Sequence, residues 1–199
     1  SMSATILLIR HASHGLLGHA LCGRSPVRLS EAGRAEAAAL AARLASGRKL
    51  SAVYASPQAR TQETADYLVE ACGAPLRTEE RLDEVNFGEW TGAEFEALAS
   101  DPRWRRWNED RGRARAPGGE SLLDAQARAA AFLEQTAQRH AGELVAAVSH
   151  GDVIKAALAH ALGLPLHFYD RFEVSPASVS ALVVGDWGMK VLSLNETPR

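Results

Sequence analysis

Cysteine is scarce in this chain: Cys22 and Cys72 are the two in 199 residues. They make neither the disulfide framework of a small secreted domain nor a zinc pattern, so a reducing, cytoplasmic setting is expected. Neither sign of charge is in excess, with 22 basic against 24 acidic residues and a pI near 6.4. That balance argues against a nucleic-acid or membrane-surface partner for the chain as a whole, and any basic function must be local. Long apolar runs are missing too. The opening stretch Ile6-Leu7-Leu8-Ile9 is too short for the core of a secretory leader or for a membrane span. Also lacking are a glycine-rich P-loop, an H-E-x-x-H pair and an aspartate cluster for Mg²⁺, so neither a metal nor a cofactor is expected. His11, His14 and His19 do not complete a metal set, since no carboxylate or cysteine joins them and Arg10 repels a cation. What is present, 46% hydrophobic and 23% charged residues, describes a single domain over 1–199 with a full core.

The apolar run ends at Arg10-His11. A short run with β-branched members reads as a core strand of a parallel sheet, and ligands gather beyond the carboxyl ends of such strands. Two further runs end in the same way. Leu50 to Ala55 stops at Ser56-Pro57, read as an N-cap and first helical position, and the helix so begun, Pro57 to about Ala71, carries Arg60 in its first turn. Leu144 to Val148 stops at Ser149-His150-Gly151, after which Asp152 can cap a helix to about Leu162. A helix capped by Ser30 runs to about Ser46, and a longer one from about Ser121 to His140 keeps Leu122, Ala125, Ala129, Phe132, Leu133 and Thr136 on one face. The tail from Phe168 to Leu194 reads as two or three strands, and an exposed edge near Val191 would allow a homodimer. The alternation predicts a three-layer α/β/α fold with a mostly parallel central sheet.

The segment from about Val85 to Glu120 is interrupted by glycine and proline and holds three of the four tryptophans. It reads as an inserted, partly helical flap. Its Arg103, Trp104, Arg105, Arg106, Trp107, Arg111, Arg113 and Arg115 form either a solvated face with Trp packed inward or a lid that meets an anionic substrate. Two guanidiniums and two imidazoles delivered to one sheet edge, Arg10, His11, Arg60 and His150, suit a tetrahedral dianion.

Four separated motifs then resemble the histidine phosphatase superfamily, also called phosphoglycerate mutase-like. They are Arg10-His11, Ser56-Pro57-x-x-Arg60-Thr61-x-x-Thr64-Ala65, Ser149-His150-Gly151, and the acidic segment Leu82-Asp83-Glu84-Val85-Asn86-Phe87-Gly88-Glu89-Trp90-Thr91-Gly92. The resemblance spans nearly the whole chain. It implies a metal-independent phosphatase acting on a small phosphomonoester, with His11 as the nucleophile that becomes phosphorylated. Arg10, Arg60 and His150 would bind the phosphoryl oxygens together with Gly151, Glu84 would protonate the leaving oxygen, and Gly23-Arg24 would belong to the substrate loop. Ala12, Ser13, His14 and Leu17 depart from the residues usual after the nucleophile, and His14 is either a replacement donor or a packing histidine. A phosphatase passes the phosphoryl group to water. The alternatives are a phosphomutase, favoured by the Trp104-Arg105-Arg106 run, and a binder that performs no chemistry.

Overall fold

A computed structural model describes residues 2–197. One six-stranded sheet has the order β3-β2-β4-β1-β5-β6, formed by β1 (Ser3–Arg10), β2 (Ala52–Ala55), β3 (Leu76–Thr78), β4 (Leu144–Ser149), β5 (Val179–Gly185) and β6 (Gly188–Glu196). The four strands from β3 to β1 run parallel, and β5 and β6 add an antiparallel hairpin. The sheet is sandwiched between α1 (Glu31–Ala45) with α2 (Ala59–Cys72) and α5 (Leu122–Arg139) with α6 (Gly151–Leu162). The period of two along each central strand feeds both layers at once. In β1, Ala4, Ile6 and Leu8 join the core under α5 and α6, while Leu7 and Ile9 join the core under α1 and α2. Both faces are covered, so these strands read as continuous apolar runs.

Between β3 and α5 the chain forms short helical pieces, including α3 (Phe95–Leu98) and α4 (Pro102–Glu109). This is the expected flap. Trp90 and Trp107 are buried and pack edge-on, Trp104 packs on Trp90 and Phe95, and Arg103, Arg105, Arg106, Arg113 and Arg115 are exposed.

Several element boundaries need correction. β3 went unread, because three residues at a sheet edge carry no periodic signal. Helix α2 starts at Ala59 with Gln58 as its N-cap, two residues after Pro57, although Ser56 Oγ does accept from the Gln58 N–H at 3.3 Å. Asp152 lies inside the first turn of α6, whose N-cap is His150, and accepts from the Tyr169 hydroxyl at 3.3 Å. Ser30 does cap α1, accepting from the Gly33 N–H, and Ser121 with Asp124 forms a reciprocal capping box on α5. Among the described residues no helix is long and apolar enough to cross a membrane.

Candidate active site

Strands β1, β4 and β2 are neighbours and parallel, with Arg10 opposite Ser149 and Val148 opposite Ala55, so their carboxyl ends lie side by side. A cavity of about 260 Å³ opens there. Arg10, His11, Arg60, Gly151, Glu84 and Gly23 all line it. His150 does not. It is fully buried against the others, its ring centroid 5.3 Å from that of His11 and its Nδ1 3.6 Å from Glu84 Oε2.

His11 is 3% exposed, and its Nδ1 lies 2.8 Å from the Ala12 carbonyl. A carbonyl only accepts, so Nδ1 carries the hydrogen and the lone pair resides on Nε2. Burial, then the charges of Arg60 and Arg10, hold the His11 pKa well below 6.5. The ring is therefore neutral, and burial contributes more to that than the arginines do. His150 is pushed down in the same way, by burial and then by Arg60. Ser56 Oγ accepts from the Gln58 N–H at 3.3 Å and lies 2.8 Å from His150 Nε2, while His150 Nδ1 has no hydrogen-bond partner.

The two arginines are anchored by backbone. Arg10 donates from one terminal nitrogen to the Val174 carbonyl at 2.7 Å, and Arg60 donates to the carbonyls of Ser25 and Gly23. Each keeps a buried Nε with no partner. An unsatisfied buried donor costs free energy, and an anion accepting from it offsets that cost. Gly151 leaves room for this arrangement, because a Cβ there would crowd the Arg10 guanidinium at 3.3 Å. The N-terminus of α6, whose dipole favours anions, begins at the same residue.

Glu84 reaches the site from outside the sheet, its Oε2 3.9 Å from Arg60 and its side chain 13% exposed. Its segment is held by side chains from three other parts of the chain. Ser149 Oγ donates to the Leu82 carbonyl at 2.6 Å, and Arg128 of α5 donates to the carbonyls of Arg81, Asp83 and Glu84. Gln58 Nε2 ties Asp83 Oδ1 at 2.8 Å. Nothing in the sequence marks Arg128, which sits on a helix face of ordinary charge pattern. Burial, then the charge of Asp152, push the Glu84 pKa up to about 7 against the pull of Arg60 and Arg10.

Other candidates are placed as follows. Arg24 does not line the cavity; its Nε donates to the Glu84 carbonyl at 3.0 Å and faces Asp83 at 3.4 Å, so it braces the acidic segment. The flap arginines Arg103, Arg106, Arg113 and Arg115 surround a separate cavity of about 250 Å³, and none of them reaches His11. His14 lines the catalytic cavity, as do the unpredicted Asp152 and Lys155 at one side and the apolar Leu17, Leu21 and Phe87.

The model of the histidine phosphatase superfamily (branch 1) matches residues 6–197. Phosphoserine phosphatase 1 of Hydrogenobacter thermophilus is 33% identical over 171 residues, covering 85% of this chain and 81% of that protein. A probable phosphoglycerate mutase of Yersinia pestis is 32% identical over 161 residues, 79% of this chain and 74% of its own length. The solved structure of a mycobacterial glucosyl-3-phosphoglycerate phosphatase superposes with a TM-score of 0.85 at 27% identity, over 98% of this chain and 100% of that one.

Proposed function

Because the chain belongs to the histidine phosphatase superfamily (branch 1) and is a phosphomonoester hydrolase of that type, we propose that His11 is its nucleophile and is phosphorylated on Nε2 in each turnover. The observation that carries this is the His11 Nδ1–Ala12 carbonyl hydrogen bond, which leaves a neutral ring with its lone pair on the other nitrogen, in a cavity walled by Arg10 and Arg60. In the first step Nε2 bonds to phosphorus, the ester P–O bond breaks, and Glu84 gives its proton to the departing oxygen. In the second, water attacks the phosphohistidine, the P–N bond breaks, and the Glu84 carboxylate takes the proton, releasing phosphate and neutral His11. Arg10, Arg60, His150 and the start of α6 bind the equatorial oxygens, where the transition state spreads its charge.

These fixed cations supply the electrostatic stabilisation that a metal ion gives elsewhere, so the reaction runs without one. Phosphate release should therefore persist in excess chelator; loss restored specifically by Mg²⁺ or Zn²⁺ would require another mechanism.

The substrate is a small phosphomonoester, and its class follows from the side of the cavity formed by α6. Lys155, with its side chain 13% exposed, bonds the exposed Asp170 at 2.8 Å and can exchange that partner for a substrate carboxylate. The phosphoserine, phosphoglycerate and glucosyl-3-phosphoglycerate in the relatives' names all carry a carboxylate near the ester, which supports phosphorylated hydroxy and amino acids as the class. Lys155→Met should raise KM for such esters about tenfold, the scale of a hydrogen bond to a charged group. KM for a simple alkyl phosphate should hardly change, and equal effects on both would refute the role. The flap gives a mutase reading no support, as Trp104 packs inward and Arg106 faces the separate cavity. Release of free phosphate, without isomerisation of phosphoglycerates in the presence or absence of a bisphosphoglycerate primer, is the expected outcome.

A further inference from the structure

We infer that His14 is a phosphate-binding residue, donating a hydrogen bond from Nε2 to an oxygen of the phosphoryl group on or near His11. This rests on the phosphatase reading of the cavity and adds to it a ligand contact made by an uncharged imidazole.

The tautomer is fixed locally. The Leu16 backbone N–H points at His14 Nδ1 at 3.2 Å, and an N–H can only donate, so Nδ1 holds the lone pair and a neutral ring carries its hydrogen on Nε2. Among the described residues nothing accepts from that Nε2–H. The ring is 7% exposed, lines the cavity, and lies 5.5 Å from the His11 ring at an interplanar angle of 28°. Of the lining residues that follow it, Leu17, Gly18, Ala20 and Leu21 offer no side-chain donor and the Cys22 thiol turns to the Ala20 carbonyl, so His14 supplies the polar side chain of that stretch.

The loop that carries it is immobilised before any ligand arrives. Ser13 donates from its N–H and its hydroxyl to Glu36, and the Ser13 carbonyl accepts from the Ser30 N–H and hydroxyl. The Leu17 N–H closes back on the His14 carbonyl. Helix α1 is pressed so tightly on this loop that a Cβ at Gly33 would stand 1.9 Å from the Ser13 carbonyl oxygen. Little freedom is left to lose on binding, which is what a positioned donor requires. Burial, then Arg60 and Arg10, lower the His14 pKa to about 4, so at neutral pH it adds a dipole to the cavity and no third positive charge. A protonated ring would also have lost the Leu16 contact.

Three variants separate donation from packing. His14→Phe keeps an aromatic ring beside His11 and removes the donor, His14→Ala removes both, and His14→Gln places an amide N–H at about the reach of Nε2. Inorganic phosphate is titrated into the intact protein by calorimetry, with kcat and KM for a phosphate ester measured alongside and thermal midpoints confirming folding. Phe and Ala variants should bind phosphate about 10- to 100-fold more weakly, the range for a lost hydrogen bond to a charged group, with Gln recovering most of the loss. The loss should be the same at pH 6 and pH 8. Wild-type affinity in His14→Phe, with a wild-type protein that hydrolyses esters, overturns the role of His14 alone. A wild-type protein that neither binds phosphate nor releases it from any ester overturns the phosphatase reading as well.

Discussion

His11→Ala should lower phosphate release by about 10⁴-fold or more, since it removes the atom that accepts the phosphoryl group and leaves nothing in the cavity to replace it. The flanking donors do not substitute: His150 is fully buried with Nε2 bonded to Ser56, and the Nδ1 of His14 is occupied by the Leu16 N–H. The fold should survive. The His11 side chain makes its hydrogen bond to the adjacent carbonyl, and its loss opens a small polar void of the kind that costs about 1–2 kcal/mol. The check is direct. Rapid quench of the wild-type protein with an ester labelled on phosphorus should trap an acid-labile, base-stable protein phosphate, and the variant should trap none. Retention of a tenth or more of the activity, or a phosphoryl group found on another residue, would remove His11 from its role.

That site was largely legible because its chemistry is delivered by strand ends. A buried strand announces itself as an apolar run, and Arg10-His11 and Ser149-His150 are the first polar residues after two such runs. Parallel neighbours must then present their carboxyl ends together, so convergence on one edge followed from the fold class. Arg60 followed from the helix after β2 even though that helix starts later than Pro57 suggested. Less was legible where positions depend on contacts far apart in sequence. Arg128 supports the Glu84 segment from a helix more than 40 residues away, and Arg24 turns from the cavity to Asp83 and Glu120 for reasons that only the folded loops reveal. The flap run allowed two readings, and the structure takes the first, a solvated face: Trp104 and Trp107 pack inward while Arg103, Arg105, Arg106, Arg113 and Arg115 are exposed, and Arg111 lies over the Tyr169 ring.

Glu84→Gln should slow hydrolysis of an alkyl phosphate by about 10²- to 10⁴-fold, the contribution of a positioned general acid. The alcohol of such an ester leaves as a strongly basic oxygen, so its departure depends on a proton, and Gln has none to give. Glu84 can hold that proton near neutrality because its pKa sits at about 7, raised first by burial and then by Asp152. The sign for activity follows: the acid is available below that value and lost above it, so kcat/KM for an alkyl ester should fall as pH rises through about 7. A bound dianion raises the pKa further, so kcat should fall at higher pH than kcat/KM. On the acid side His11 stays neutral to well below pH 6.5 and imposes no loss near neutrality. In Glu84→Gln the alkaline limb should disappear along with most of the rate. An ester of an acidic phenol is the control, since its leaving oxygen needs little protonation. Single-turnover phosphorylation with p-nitrophenyl phosphate, measured apart from the return of His11 to its free form, should lose far less than tenfold. Equal losses with both esters would mean that Glu84 positions substrate, through the contacts it makes near Arg60 and His150, instead of giving up a proton. If Glu84→Gln were harmless and Asp83→Asn crippling, the acid would belong one residue earlier, although Asp83 already accepts from Gln58 and from the Glu84 N–H and holds this loop in place.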